Sequence, residues 1–393
     1  MTRPLCEVAD VIRMAGNRFT QRYRESLTWA QIKVLRAISR CRTSALGGHR
    51  DQCECCGYQA ISYNSCRNRH CPKCQTNARE KWLRKRQKEL LPVDYYHLVF
   101  SVPHRLVPLI WQNKKLLFAL LFQSAADALQ EVASDSKHLG AEIGFLSILH
   151  TWGQTLLPHP HIHCVVPGGG LSPDQTIWVS SRSNFFLPVK VLSRVFRGKF
   201  IDGLRRAFRN NKLSFSGECL QLEDEKSFAE FLRTLFQQDW VVYAKPPFGG
   251  PEHVLQYLAR YTHRVAISNH RLLSVDETNV TFQWKDYAHH NKQRKMTLTC
   301  EEFLRRFMLH VLPKGFPRIR YFGWLANRRR EKMLAHCRVL LQQKINETST
   351  DPPDEPGVWK CPHCHGVMRI VERLTVFQIF CEERRQIGYL DSS

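Results

Sequence analysis

The sequence predicts an α+β protein in which an antiparallel sheet flanked by helices follows a helical, cysteine-rich amino-terminal domain and precedes a helical carboxy-terminal region. Three observations predict it. Short runs with period-two alternation mark strands at Tyr95 to Val102, Ile143 to Gln154 and His161 to Val166. Apolar positions three and four apart mark helices on either side of them. Cysteines fall in C-x-x-C pairs within a chain of 393 residues, which at 43% hydrophobic content is long enough to bury a full core without disulfides.

Taken in order, residues 4 to 46 read as two basic amphipathic helices, with Ile12, Phe19, Tyr23, Trp29, Ile32 and Leu35 apolar, stopping at Gly47-Gly48. The cysteine cluster at 53 to 74 leads into a basic helix from Asn77 to Leu91, which Pro92 ends. After the strand at Tyr95, Leu106 to Ala133 reads as one or two helices. The strands at 143 and 161 form a hairpin across a short proline-containing loop, closed by Gly168-Gly-Gly170. Residues 187 to 212 and 225 to 237 read as helices and Trp240 to Lys245 as a strand; Gly249-Gly250-Pro251 opens a helix through Tyr261. Val265 to Asn269, Arg271 to Val275 and Val280 to Lys285 alternate as a small antiparallel sheet. A basic helical region, 299 to 345, precedes a linker, Asn346 to Gly357, and a tail carrying Cys361-x-x-Cys364. Four segments follow: an amino-terminal helical and zinc-binding domain (1–91), a catalytic domain (92–290), a basic helical region (291–345), and a linker with a small tail (346–393).

Charge narrows the partner. Lys and Arg number 58 against 35 Asp and Glu, a formal +23, which favours a polyanion such as nucleic acid. The longest apolar run, Leu116 to Phe122, falls far short of the ~20 residues that span a bilayer. The start, Met-Thr-Arg-Pro-Leu-Cys, has no apolar signal core. The expected setting is soluble and intracellular, with no membrane partner. There the 15 cysteines point to zinc rather than to disulfides.

Cys53-Glu-Cys-Cys56 and Cys71-Pro-Lys-Cys74 form two knuckles separated by fourteen residues. Each supplies two thiolates from a tight turn, and zinc takes four ligands, so Cys53, Cys56, Cys71 and Cys74 are the expected structural site. Cys55, Cys66, His49 and His70 are near enough to substitute or to form a second site. Arg67, Arg69, Lys73 and the basic helix that follows offer phosphate contacts. Cys361 and Cys364 make half a site, which Cys381, His363 or His365 would complete, or a remnant of one.

His161-Ile-His163 lies on a predicted strand, where alternate side chains share a face. Two imidazoles therefore point one way, fixed by rigid backbone, and suit a metal ion. His159 continues the alternation, but Pro158 and Pro160 place it at the strand entrance. A third ligand is needed. Gln154, at the end of the partner strand, is one candidate and His253 another.

Tyr257-Leu-Ala-Arg-Tyr261 puts two phenols one turn apart on a helix face, with Arg260, His263 and Arg264 beside them. A phenol is a weak nucleophile near neutral pH, but attack on a phosphodiester becomes feasible where a metal polarises the phosphate. The phosphotyrosine ester conserves the energy of the broken bond. Two tyrosines hold two strands in succession.

These motifs, in this order, resemble the two-tyrosine HUH transposases of the insertion-sequence 91 family. The resemblance is carried by Tyr63-Asn-Ser-Cys-Arg-Asn-Arg-His-Cys-Pro-Lys-Cys74, His159-Pro-His-Ile-His163 leading to Gly168-Gly169, Tyr257 to Ser268, and Arg320-Tyr-Phe-Gly-Trp-Leu-Ala-Asn327. It spans about residues 1 to 345. The resemblance implies an HUH endonuclease core, Mg²⁺ or Mn²⁺ at His161 and His163, nucleophiles at Tyr257 and Tyr261, and rolling-circle transposition through single-stranded DNA at element ends and target. No G-x-x-x-x-G-K-[ST] occurs, since Gly198-Lys199 is followed by Phe200, so unwinding falls to a host helicase and the replication machinery. Two alternatives use parts of the same pattern: a rolling-circle replication initiator, and a zinc protein that binds DNA without cutting it.

Overall fold

The computed structural model describes residues 4–245, 266–287, 289–342 and 359–388. In chain order the helices are α1 (Val8–Arg22), α2 (Trp29–Arg40), α3 (Pro72–Gln87), α4 (Val107–Gln112), α5 (Lys114–Ser134), α6 (Val189–Arg209), α7 (Glu225–Gln237), α8 (Cys300–Leu309), α9 (Arg330–Leu340) and α10 (Val376–Gly388). The strands are β1 (Gly48–Cys53), β2 (Gln59–Tyr63), β3 (Tyr95–Ser101), β4 (Gly144–Trp152), β5 (Pro158–Pro167), β6 (Gly169–Leu171), β7 (Trp178–Ser180), β8 (Val242–Lys245), β9 (Leu272–Val275), β10 (Asn279–Asp286), β11 (Lys292–Thr299), β12 (Ile319–Gly323) and β13 (Met368–Leu374). The chain gathers into two compact units, one of residues 1–76, 267–305 and 346–393, the other of residues 77–266 and 306–345. The four consecutive segments suggested by composition do not coincide with these units, because the chain returns to the first unit twice.

In the larger unit, five strands form a sheet in the order β12-β4-β5-β3-β8, each antiparallel to its neighbours. Leu98, Phe100, Phe145, Leu149 and Ile162 share one core with Phe118 and Phe122 of α5 and Phe196 and Phe200 of α6. Helix α5 is long and apolar enough to cross a membrane by length and composition, yet its apolar face is spent on this core. On the alternate positions, Leu146, Ile148 and Val165 pack with Tyr95, Trp82 and Tyr321. Gly144 admits β12 here: a Cβ on it would come within 2.5 Å of the Trp324 ring.

In the smaller unit, α1 and α2 each start with a reciprocal cap, Glu7 with Asp10 and Thr28 with Gln31, and bury Val11, Ile12, Ala15, Val34, Leu35 and Ile38. One three-stranded sheet has the order β13-β1-β2 and another the order β11-β10-β9. The second differs from expectation. Residues 269–271 form a short 3₁₀ turn, and the third strand is Lys292–Thr299, in a stretch read as the start of the basic helical region. Its Met296 and Leu298 alternate inward, but Lys292, Gln293, Arg294 and Lys295 are all exposed and hide the period. Strand β12 also lies within the span expected to be helical, bounded by Pro317 and Gly323, which disfavour a helix.

Candidate functional site

β5 is the middle strand of the five, so its side chains are flanked on both sides. His161 and His163 project from one face while Ile162 is fully buried in the opposite core. His150 of β4 stands directly opposite His161, and its ring centroid lies 4.2 Å from that of His163. The three rings each offer a nitrogen within 4.8 Å of the others, and all three are buried. Among the described residues, the imidazole that joins the two is His150. Gln154, the candidate from sequence, sits two residues beyond the end of β4 in the turn, because the strand stops at Trp152.

The tautomers are set by neighbours. His161 Nδ1 donates to the His159 carbonyl oxygen at 2.7 Å, which leaves Nε2 with its lone pair for a metal. His163 Nδ1 shares a 2.7 Å hydrogen bond with Nε2 of His97 on β3, and the two rings stack within 5° of parallel. Burial lowers the His161 pKa to about 3 and that of His97 to about 4, and pushes His163 well down, with His150 adding to the effect. His161, His163 and His97 are thereby held neutral, the form of imidazole that ligates metals. The turn beneath it is pinned: Thr151 Oγ1 and His310 Nδ1 are 3.1 Å apart, and His310 Nε2 donates to the Leu156 carbonyl oxygen at 2.9 Å.

The cysteines are arranged differently from the expected quartet. Cys71 and Cys74 meet Cys41 and Cys66, whereas Cys53 and Cys56 meet Cys361 and Cys364. In the first group Cys74 Sγ lies 3.5 Å from Cys41 Sγ and 3.6 Å from Cys66 Sγ. The two knuckles share a spacing but not a site, because β1 and β2 carry Cys53 and Cys56 to the turn of a hairpin while Cys66 and the start of α3 fold back onto the end of α2. Of the other candidates near the cluster, Cys55 is exposed, His49 lies beside Asp51 and His70 beside Asn68. Cys361 and Cys364 are completed by neither Cys381, His363 nor His365.

Among the expected DNA contacts, Arg67 and Arg69 are exposed, but Lys73 is engaged by Glu7 at 2.5 Å. Arg86 of the basic helix is buried against Glu89 and the Tyr321 hydroxyl. Tyr257, Tyr261, Arg260, Arg264 and His253 lie outside the described residues. His150, His97 and Cys41 escaped sequence reasoning. Counting back along the hairpin from its turn reaches His150, whereas His97 and Cys41 sit on separate elements and carry no local signal.

Residues 144–332 match a family model described as "Putative transposase", and residues 11–102 one described as "Transposase zinc-binding domain" of insertion-sequence 91 type. The chain is 50% identical over 384 residues, 95% of its length and 96% of the relative's, to "Putative transposase y4qJ" of Sinorhizobium fredii. It belongs to the insertion-sequence 91 family of transposases. A second relative of this transposase is the "Transposase for insertion sequence element IS801" of Pseudomonas savastanoi pv. phaseolicola, 30% identical over 301 residues, 76% of this chain and 71% of that one. The zinc-binding match takes in Cys41, Cys66, Cys71 and Cys74 together with Cys53 and Cys56, and the other takes in His150, His161 and His163. Neither reaches Cys361.

Proposed function

We propose that this transposase nicks and rejoins single-stranded DNA at insertion-sequence ends through 5′-phosphotyrosine intermediates, driving rolling-circle-type transposition. The observation that carries the reading is the buried trio His150, His161 and His163 on adjacent strands of an antiparallel sheet. A divalent ion bound there supplies a Lewis acid for the scissile phosphate. Three neutral imidazoles suit Mn²⁺ or a later transition metal better than Mg²⁺, which prefers oxygen ligands and water. His97 orients His163, and the His159 carbonyl orients His161.

Tyr257 and Tyr261 supply the nucleophiles. A phenol oxygen bonds to phosphorus, the bond from phosphorus to the 3′ oxygen breaks, and the phenol proton passes to the departing 3′ oxygen through solvent. A free 3′ hydroxyl attacking the tyrosine ester reverses the step and rejoins the strand without ATP. Arg260 and Arg264 beside the tyrosines, with Arg67 and Arg69 in the zinc module, hold the phosphate backbone. Cys41, Cys66, Cys71 and Cys74 hold a structural zinc ion. Strand separation is left to a host helicase.

The test is a labelled single-stranded oligonucleotide carrying the element's end, incubated with protein and Mn²⁺ or Mg²⁺. A covalent adduct stronger in Mn²⁺ is expected. No adduct with any end or metal, or an adduct that persists when Tyr257→Phe and Tyr261→Phe are combined, overturns the proposal.

A further inference from the structure

The turns that carry Cys53 and Cys361 are built alike, although 305 residues separate Cys56 from Cys361. Cys53 N donates to the Tyr58 carbonyl oxygen at 2.8 Å, and Cys361 N to that of Gly366 at 2.8 Å. Gly57 N returns to the Cys53 carbonyl oxygen at 3.1 Å, and His365 N to that of Cys361 at 2.9 Å. Both closing residues are left-handed, with φ of 71° and 59°. Cys55 N points at Cys53 Sγ and His363 N at Cys361 Sγ, each at 3.4 Å. N–H groups aimed at sulfur favour the thiolate, the form that binds metal.

The four sulfurs converge. Cys53 Sγ lies 3.4 Å from Cys364 Sγ, Cys56 Sγ lies 3.6 Å from Cys361 Sγ, and all four fall within 4.8 Å of one another. Tetrahedral zinc with bonds of ~2.3 Å sets its sulfurs about 3.8 Å apart. Disulfides require ~2.05 Å, so these are not bonded pairs. Gly366 closes over the group: a Cβ there would stand 3.2 Å from both Cys53 Sγ and Cys364 Sγ.

The tail is shaped to stay. β13 pairs with β1 from Cys53 opposite Met368 to Gly48 opposite Leu374. Arg50 of β1 bridges Glu372 and Glu382, Arg369 bridges Glu54 at 2.5 Å, and Ile379 of α10 is fully buried against Gly48.

We propose that Cys53, Cys56, Cys361 and Cys364 bind a second zinc ion, which clasps the carboxy-terminal tail onto the amino-terminal hairpin. The first site, Cys41 to Cys74, is complete within one stretch of chain. The second closes only after residue 364 has been made, so its metal seals a module whose two halves bracket the catalytic sheet in sequence. The loop it closes is long, but closure cost grows only with the logarithm of loop length.

The test uses the full-length protein with a site-specific protease sequence inserted after Thr350. With the histidine cluster emptied in every sample by His161→Ala and His163→Ala, so that only the cysteine sites are counted, metal analysis of the chain with its wild-type cysteines (called wild type below) is expected to give two zinc ions per chain, and Cys361→Ser with Cys364→Ser to give one. After cleavage, the tail fragment is expected to co-elute with the remainder of the wild-type chain and to separate from it in the double variant. One zinc ion in wild type, two in the variant, or a tail that stays bound without its cysteines overturns the clasp. Cobalt-loaded wild type gives a second readout should the variant not fold: tetrahedral thiolate absorption for two ions is expected, and for one ion contradicts the proposal.

Discussion

The histidine cluster and the cysteine clusters each bring together side chains that could hold a metal ion, but they are assembled over different distances in the chain. His150, His161 and His163 come from the two strands of one hairpin, and the register of that hairpin alone brings them together. The cysteines come from the end of α2, the loop before α3, the turn between β1 and β2, and a tail more than three hundred residues further on. A ligand set made within one hairpin is inherited from strand geometry and survives without its metal. One made from remote turns needs the metal to hold it.

That difference orders the expected effects of breaking each site. Cys71→Ser with Cys74→Ser removes the first zinc, whose binding in small zinc modules contributes on the order of 10 kcal/mol, and the amino-terminal helices and hairpin are expected to lose protease resistance while the five-stranded sheet keeps it. Limited proteolysis with mapped fragments checks this, and uniform resistance across the chain would break the comparison. His161→Ala with His163→Ala is expected to lower adduct formation by at least about 10²-fold with circular dichroism unchanged, because Ile162 and the opposite core stay in place. His97→Leu is expected to weaken metal binding by about 10- to 100-fold by freeing the His163 ring, measured by titration with Mn²⁺.

The smallest effect is in pH dependence. Burial depresses the His310 pKa to about 3, against an ordinary value near ~6.5 in the unfolded chain. The unfolded state therefore takes up a proton that the folded state refuses, and stability present above about pH 6.5 is lost as pH falls toward 3. Between pH 6.5 and 5, His310→Gln is expected to lose roughly 1 to 2 kcal/mol less than wild type in urea unfolding. Equal losses would mean that His310 is accessible to protons when folded.

The same contrast explains what was legible in the sequence. His161 and His163 could be read because period two on a single strand fixes their common face. His150 required the register across the hairpin, which sets it opposite His161, and the strand expected to run to Gln154 ends at Trp152. Cys53, Cys56, Cys71 and Cys74 could be read as zinc ligands but not sorted, because spacing is blind to which knuckle folds back onto α2 and which meets the tail. Cys41, at the end of a helix, had no partner within its own stretch to betray it. Strand β11 was hidden by four consecutive exposed polar side chains, which erase the alternation that its inner face keeps. The central strands of the antiparallel sheet were legible, since each carries its own alternation, whereas the edge strand β12 lay within a span that reads as helical.

The most direct measurement is to find where DNA becomes attached. The covalent adduct made with Mn²⁺ is digested with trypsin and the modified peptide sequenced by mass spectrometry, in wild type and in His161→Ala with His163→Ala. The account predicts a nucleotide remnant on Tyr257 or Tyr261 in wild type and none in the variant. Attachment at any other residue, or undiminished attachment without the two histidines, would contradict it.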